Sequence, residues 1–350
     1  MRRLGRMQEL VKAKSDADFL AMVPHLLGFR PRESVVLIGF RGKRTHGALR
    51  LDQPTAAVGF SKFAAYALGT MGKIPGLEGI AVVVLTDSPV GSTAAHEFAK
   101  LLIARVERSN FSLRGAWCIG TDGWVSYSDE YREVRSLYEI ELSDVAISRA
   151  ELAPSTVGAL PEVSGEVKQR VTAHLERLRD PAAVAEDDLT PDHMAGFLEL
   201  ALEWQEAEFV RGGGFLLDLF QMPIARDAAM LQWASTQQIG ELLWGFNYDA
   251  EGADLMMGRG PRPELDRVEK AIALVGRLVA VADDADRVAP LCMLAWMHWA
   301  LGQGSAGGGY LDMALALDPD YGLANLLATM MSNGILPEWA FTVDASIADA

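Results

Sequence analysis

Seven consecutive residues, Ser34 to Phe40 (SVVLIGF), constrain this chain more than any other stretch. They are β-branched and apolar without the polar alternation of a strand that keeps one face in water, so the strand they predict is covered on both faces. The sequence before it reads as a helix. Ser15-Asp16 can cap a helix in which Phe19, Met22, Val23, Leu26 and Leu27 recur at i, i+3, i+4, i+7 and i+8. Gly28 is the natural stop of that helix, Pro31 prevents its continuation, and Phe29 can fold back onto the last turn. Beyond the strand, Arg41-Gly42-Lys43-Arg44 reads as a turn and Gly47 to Asp52 as a returning strand.

Helical stretches at Lys62 to Gly72 and about Thr93 to Arg108 then alternate with strands at Ile80 to Leu85, Gly115 to Ile119 and Trp124 to Tyr127. Such alternation predicts an α/β N-terminal domain with a mixed or mostly parallel sheet. Residues 153–165 (APSTVGALPEVSG) are rich in Pro, Gly, Ser and Ala, and past Gly165 the pattern is helical throughout. At 350 residues the chain exceeds one ordinary core, so the expected division is an α/β domain over 1–155, a linker over 156–165 and an all-α helical domain over 166–350.

Within the helical part, Thr190-Pro191-Asp192 marks a helix start with a cap, a proline at the first position and an acid in the first turn. That helix is expected to reach Arg211, where Gly212-Gly213-Gly214 ends it. Gly304 and Gly307-Gly308-Gly309 are expected to separate further helices, and Pro223, Pro263 and Pro319 to open them, seven or eight in all. Tyr310 to Leu317, then Asp318-Pro319-Asp320-Tyr321, then Leu323, Ala324, Leu326 and Leu327 reads as a hairpin similar to a tetratricopeptide unit. One copy cannot build a solenoid, so the expectation is a helical bundle ending in a TPR-like hairpin.

Charge and cysteine use narrow the function classes. The net charge is −15, yet residues 1–50 carry 11 Lys/Arg against 4 Asp/Glu. An acidic surface repels phosphate backbones, so nucleic-acid binding is not expected, and only the basic N-terminal sector can meet an anion. The longest apolar runs, Ile80 to Leu85 and Ala271 to Ala282, fall short of the ~20 residues of a membrane span. The opening MRRLGRMQELVKAK lacks the apolar stretch of a secretory signal, and Cys118 and Cys292 form no spaced motif, so a cytoplasmic location is expected.

The common catalytic motifs are absent from the sequence. Gly69-Thr70-Met71-Gly72-Lys73-Ile74 lacks the first glycine and the hydroxyl of a P-loop, and no strand is followed by a dinucleotide fingerprint, so no nucleotide or metal motif and no cofactor is indicated. The six histidines show no ligand spacing; His25 and His298 lie in apolar helices and read as core or interface side chains. Trp296 and Trp299 with Met293 and Met297 read as core. Four residues remain as weak candidates. Asp87 and Asp122 end two strands, where α/β sheets collect ligands, although Asp87-Ser88-Pro89 and Asp122-Gly123 are also turn sequences in which Asp bonds its own backbone. His96 sits early in a helix after a strand. Arg30 either holds an anion in its guanidinium fork or bonds the carbonyls left free by the helix ending at Leu27. Arg30 and Arg32 should lie roughly 20 Å from Arg41, Lys43 and Arg44, at opposite ends of one strand.

At these residues the chain resembles a bacterial family known as domain of unknown function 4192. The segment Val23 to Phe40, with Pro24, Leu27-Gly28-Phe29-Arg30-Pro31 and Ser34, is similar to that family's opening, and APLCMLAWMHWALGQGS with ALALDPDYGLANLL is similar to its closing helices. The structural signature is thus Gly28, Phe29, Pro31, Ser34, Trp296, Asp318, Pro319 and Tyr321. In the middle the chain departs from the family: Asp122-Gly123-Trp124-Val125-Ser126-Tyr127 keeps one Trp of a Gly-Arg-Trp-Trp-Ser stretch, and no cysteine-rich segment follows. The resemblance implies a cytoplasmic bacterial protein with an α/β front and a helical back, and implies no activity. Two expectations follow for function. One is a non-enzymatic scaffold that meets a protein partner through its helical domain. The other is an enzyme or small-anion binder at the carboxyl ends of the strands, using Asp87, Asp122, His96 and Arg30.

Overall fold

The computed structural model describes residues 13–27, 30–54, 59–91, 93–129, 133–143, 145–146, 160–180, 182, 193–245 and 250–341. The chain divides into two compact units, one built on Met1–Thr156 and one on Val157–Thr342.

The first unit runs α1 (Asp16–Leu27), β1 (Ser34–Arg41), β2 (Arg44–Asp52), α2 (Phe60–Met71), β3 (Gly79–Leu85), α3 (Thr93–Glu107), β4 (Ser112–Ile119), β5 (Trp124–Ser126) and α4 (Leu137–Glu141). The sheet order is β2-β1-β3-β4-β5. It is mixed: β3 and β4 are parallel, joined through α3, and the other three pairs are antiparallel. As its apolar run requires, β1 is buried on both faces. Val35 and Leu37 join Val82, Val84, Ala116 and Cys118 beneath α2 and α3. Val36 and Ile38 join Ala81, Val83, Trp117 and Trp124 beneath α1.

The α1 N-terminus is held by local bonds. Ser15 Oγ accepts the Asp18 amide at 3.1 Å, and Asp18 accepts the Lys14 amide at 2.9 Å and the Ser143 hydroxyl at 2.6 Å. The Ser143 bond, foremost, holds the Asp18 carboxyl below its ordinary value. His25, read as a core or interface side chain, is exposed. The α1–β1 junction carries the backbone strain of the signature. Glu33 has φ +41°, and its carboxylate accepts the Thr86 hydroxyl at 3.0 Å and the Asp87 amide. Pro31 is buried, and Ser34 donates to the Arg32 carbonyl while accepting Arg50 Nε at 2.7 Å. Gly28 and Phe29 lie outside the described residues.

Two irregularities fall at the opposite end of the sheet. On β2, Ala48 faces Ile38 but Thr45 faces Phe40, so His46 and Gly47 oppose Gly39, and Gly47 takes φ +106°. On β4, Leu113 faces Ile80 and Gly115 faces Ala81, leaving Arg114 as the extra residue of a bulge.

The second unit comprises α5 (Gly165–Arg179), α6 (Met194–Ala201), α7 (Glu206–Leu219), α8 (Pro223–Ala234), α9 (Gln237–Trp244), α10 (Ala250–Met256), α11 (Leu265–Val281), α12 (Asp284–Ala300), α13 (Gly304–Leu317) and α14 (Gly322–Ser332), closed by a 3-10 turn at Glu338–Phe341. No strand occurs among its described residues. Leu160 and Val163, in the expected linker, pack on its core, and Ser164 caps α5. Two expectations about glycine are corrected. Gly212–Gly214 do not end a helix, because α7 runs through them, and Gly307–Gly309 lie inside α13. Their role is close approach: a Cβ on Gly214 would stand 2.8 Å from Leu175 N and 2.9 Å from Val171 O of α5, and one on Gly307 would stand 2.7 Å from Ala295 O of α12. Backbone packing against backbone outweighs the low helix propensity of glycine. The break comes earlier, between Ala201 and Glu206; the Thr190-Pro191-Asp192 start lies outside the described residues.

Trp296 and Trp299 are core, each with its indole N–H bonded, to the carbonyls of Met256 at 2.9 Å and Ile335 at 2.8 Å. The Asp318–Tyr321 turn is explained residue by residue. Asp318 accepts the Asp320 amide at 3.0 Å, the Pro319 carbonyl accepts Asn325 Nδ2 at 2.8 Å, and the Tyr321 hydroxyl accepts a hydrogen bond from Nη1 of the buried Arg226 at 2.8 Å. Arg226 also pairs with Asp227 at 2.8 Å. No helix among the described residues is long and apolar enough to cross a membrane.

Candidate functional site

The four candidates from the sequence share one edge of the sheet, where β3 and β4 end and β1 begins, but their side chains serve different partners. Asp87 forms an exposed ion pair with Arg32 at 2.8 Å, and the turn that contains it is closed instead by Thr86 Oγ1 accepting the Ser88 amide at 3.2 Å. Asp122 accepts the Val90 amide at 2.8 Å, while the Ser88 carbonyl accepts the Thr121 amide at 3.1 Å, so the two loops are stitched together. Both carboxylates thus bind neighbouring elements rather than their own turns. His96 stacks on Tyr127, ring centroids 5.5 Å apart, with Nδ1 3.3 Å from the phenol oxygen. The same phenol bonds Cys118, but burial of that thiol dominates and pushes it up to about 11, so it stays protonated and unreactive near neutral pH. Arg30 Nε is buried with no hydrogen-bond partner among the described residues.

The opposite end of the sheet holds an open recess of about 380 Å³, within the span of small-ligand pockets. Its walls come from the start of α1 (Lys14, Ser15, Asp16, Phe19), the end of β1 and its turn (Phe40, Gly42, Lys43), and β4 (Arg114, Trp117). The aromatic residues form one cluster: Phe19 stacks on Phe40 at 6.0 Å and 30° and meets Trp117 tilted, at 4.9 Å and 37°. Asp16 fixes the indole by accepting Trp117 Nε1 at 2.9 Å. Three cations, Lys14, Lys43 and Arg114, stand around these rings, with Arg41 and Arg44 flanking the turn.

Two glycines make this arrangement possible. A Cβ on Gly79 would lie 2.5 Å from Arg114 Nε, so glycine lets the guanidinium arm cross β3. Gly115, at φ +151°, completes the bulge, and a Cβ there would meet the Trp117 ring at 2.2 Å. The recess was missed in the sequence because Lys14, Lys43, Arg114 and Trp117 are far apart along the chain. A glycine after an arginine inside a strand was the one local sign of a bulge. The charge contrast is large: residues 157–342 carry 12 Lys/Arg against 28 Asp/Glu, whereas the recess gathers cations.

A second recess, of about 490 Å³ and mostly apolar, lies in the helical unit between α6 and α9, lined by His193, Gly196, Phe197, Glu199, Leu200 and Gln237. Beneath it Arg267 and Glu199 form an ion pair, and Gln232 donates to the Ala195 carbonyl at 2.7 Å, which ties α6, α8 and α11 together.

Residues 17–338 match the family described as Domain of unknown function (DUF4192). The match covers nearly the whole chain, and the protein belongs to that family. No curated protein and no solved structure matches it.

Proposed function

We propose that this DUF4192 protein binds a small anion carrying a flat apolar body, using the recess between α1, the β1–β2 turn and β4. The observation that supports it is the convergence of Lys14, Lys43 and Arg114 on the Phe19, Phe40 and Trp117 cluster, at a pair of strand irregularities, in a chain of net charge −15. The guanidinium fork of Arg114 and the two ammonium groups hold a phosphate or carboxylate, and the ring edges cover the apolar part. This keeps the anion-binding alternative read from the sequence but moves it to the other end of the strands. Calorimetric titration of the full chain at low salt tests it, with adenosine monophosphate, adenosine and inorganic phosphate as probes. The nucleotide should bind more tightly than either part, and K43A with R114A should weaken it about tenfold or more, as loss of two charge-assisted contacts implies. D87N, at the other edge, should leave binding unchanged. Equal affinity for all three probes, or none, refutes the reading. A single-stranded oligonucleotide that binds with a steep salt dependence while the mononucleotide does not would assign the patch to nucleic acid instead.

A second reading is the scaffold expected from the sequence, in which the helical unit, with its repeat-like α13–α14 hairpin, meets a protein. It is supported by Leu200 and Leu242, 69% and 48% exposed, on the α6 and α9 that frame the apolar recess, and by the acidity of that unit, which favours a basic amphipathic segment as partner. Proteins captured by the full chain and released by L200D would support it. Capture unaffected by L200D would refute it.

A further inference from the structure

Glu78 sits at the rim of the first recess in a position its backbone fixes. Its N–H donates to the Phe40 carbonyl at 2.8 Å, and its own carbonyl accepts Ser112 N at 3.0 Å and Ser112 Oγ at 3.1 Å. Residue 78 is therefore pinned between the end of β1 and the start of β4. Its carboxylate Oε2 accepts the Gly42 N–H at 2.9 Å and stands 3.9 Å from Arg114 Nη2. Gly42 and Arg114 both line the recess, and Gly42 at φ +57° belongs to the turn that also presents Lys43. A carboxylate of the chain thus occupies the place where the oxygens of a bound anion would meet the same donors. Glu78 is a rim residue on a solvent-exposed pair, so the contact is weak enough to exchange.

We infer that Glu78 is a built-in competitor for the anion subsite formed by the Gly42 amide and Arg114. This rests on the anion-binding reading above. An entering phosphate displaces the tethered carboxylate, which swings into water, so ligand affinity is set by the difference between two anions on one guanidinium. A phosphate dianion, with more charge and three acceptor oxygens, gains over the carboxylate; a singly charged ligand gains little. The tether therefore selects phosphate-bearing ligands over carboxylates.

E78Q tests this with little structural cost, because the amide oxygen still accepts the Gly42 N–H. In the full chain, with adenosine monophosphate as probe, E78Q should bind about threefold to tenfold more tightly than wild type, the range that releasing one exposed ion pair allows. The gain should vanish in the R114A background, where E78Q/R114A binds no better than R114A. Wild-type binding that E78Q leaves unchanged or weakens overturns the competitor role while the anion site stands. A gain that persists without Arg114 also overturns it, since the charge would then act from a distance. Absence of binding in both wild type and E78Q overturns the site as well.

Discussion

Two adjacent glycines of α13 should respond to the same substitution with opposite sign. In a helix interior, alanine is favoured over glycine by about 0.5–1 kcal/mol, because glycine loses more backbone freedom on folding. At Gly308 nothing lies within 4 Å of the Cβ position, so G308A should realise that gain. At Gly307 the Cβ would stand 2.7 Å from the Ala295 carbonyl oxygen, a backbone atom inside α12 that cannot rotate away. The two helices must then separate by several tenths of an ångström along a buried seam. Overpacking of that kind costs about 1–3 kcal/mol, which leaves G307A destabilised by up to about 2.5 kcal/mol after the propensity gain. For a unit of this size each kcal/mol moves the melting temperature by about 2–4 °C, so G308A should melt about 1–4 °C higher and G307A several degrees lower than wild type. Calorimetric scans of the full chain, read on the transition of the helical unit, measure both. Shifts of the same sign would refute the claim that α13 carries glycine at 307 for close approach.

Further outcomes follow from buried groups. Burial pushes the His298 imidazole down, with Nδ1 2.6 Å from Gln303 Oε1 and the ring stacked on Tyr310. The unfolded chain therefore takes the proton first, so this contribution to stability is intact above the ordinary value of 6.5 and is lost as pH falls from there through the folded value. H298Q should flatten the pH dependence of urea unfolding across that window; an unchanged slope would refute it. Burial likewise pushes Cys118 up to about 11 and Cys292 up to about 12, so a thiol reagent at about pH 8 should modify neither in the native chain and both in denaturant. R226M removes the charge that Tyr321 and Asp227 accept and should destabilise the helical unit by about 1–3 kcal/mol. R226M and Y321F should add to less than their sum in a double-mutant cycle; full additivity would mean the Arg226–Tyr321 bond carries no coupling.

Much of the architecture was legible in local pattern. The uninterrupted SVVLIGF run required a strand covered twice, and β1 lies between α1 on one side and α2 with α3 on the other. The alternation that followed placed α2, α3 and β2 to β5 within a few residues of their observed bounds, and missed α4. Trp296 and Trp299 are core side chains, as their helical spacing suggested. The signature around Arg30 was only partly legible: Ser34 bonds across the Glu33 junction, whose φ is +41°, but no sequence rule tells whether an arginine after a helix turns back to its carbonyls.

The sequence by itself determined most strands and helices of the first unit, and that this unit is layered, because those choices follow from hydrophobic period and from residues that start or stop an element. The tertiary structure alone decided what the glycines and charges are for. A glycine that stops one helix and a glycine that admits a neighbouring backbone look identical in sequence, and only the contact of α7 with α5, or of α13 with α12, distinguishes them. In the same way Lys14, Lys43, Glu78 and Arg114 come together only where the end of β1 and the start of β4 meet the start of α1. Electrostatic and ligand contacts depend on distances of a few ångströms in space, and separation along the chain carries no record of them.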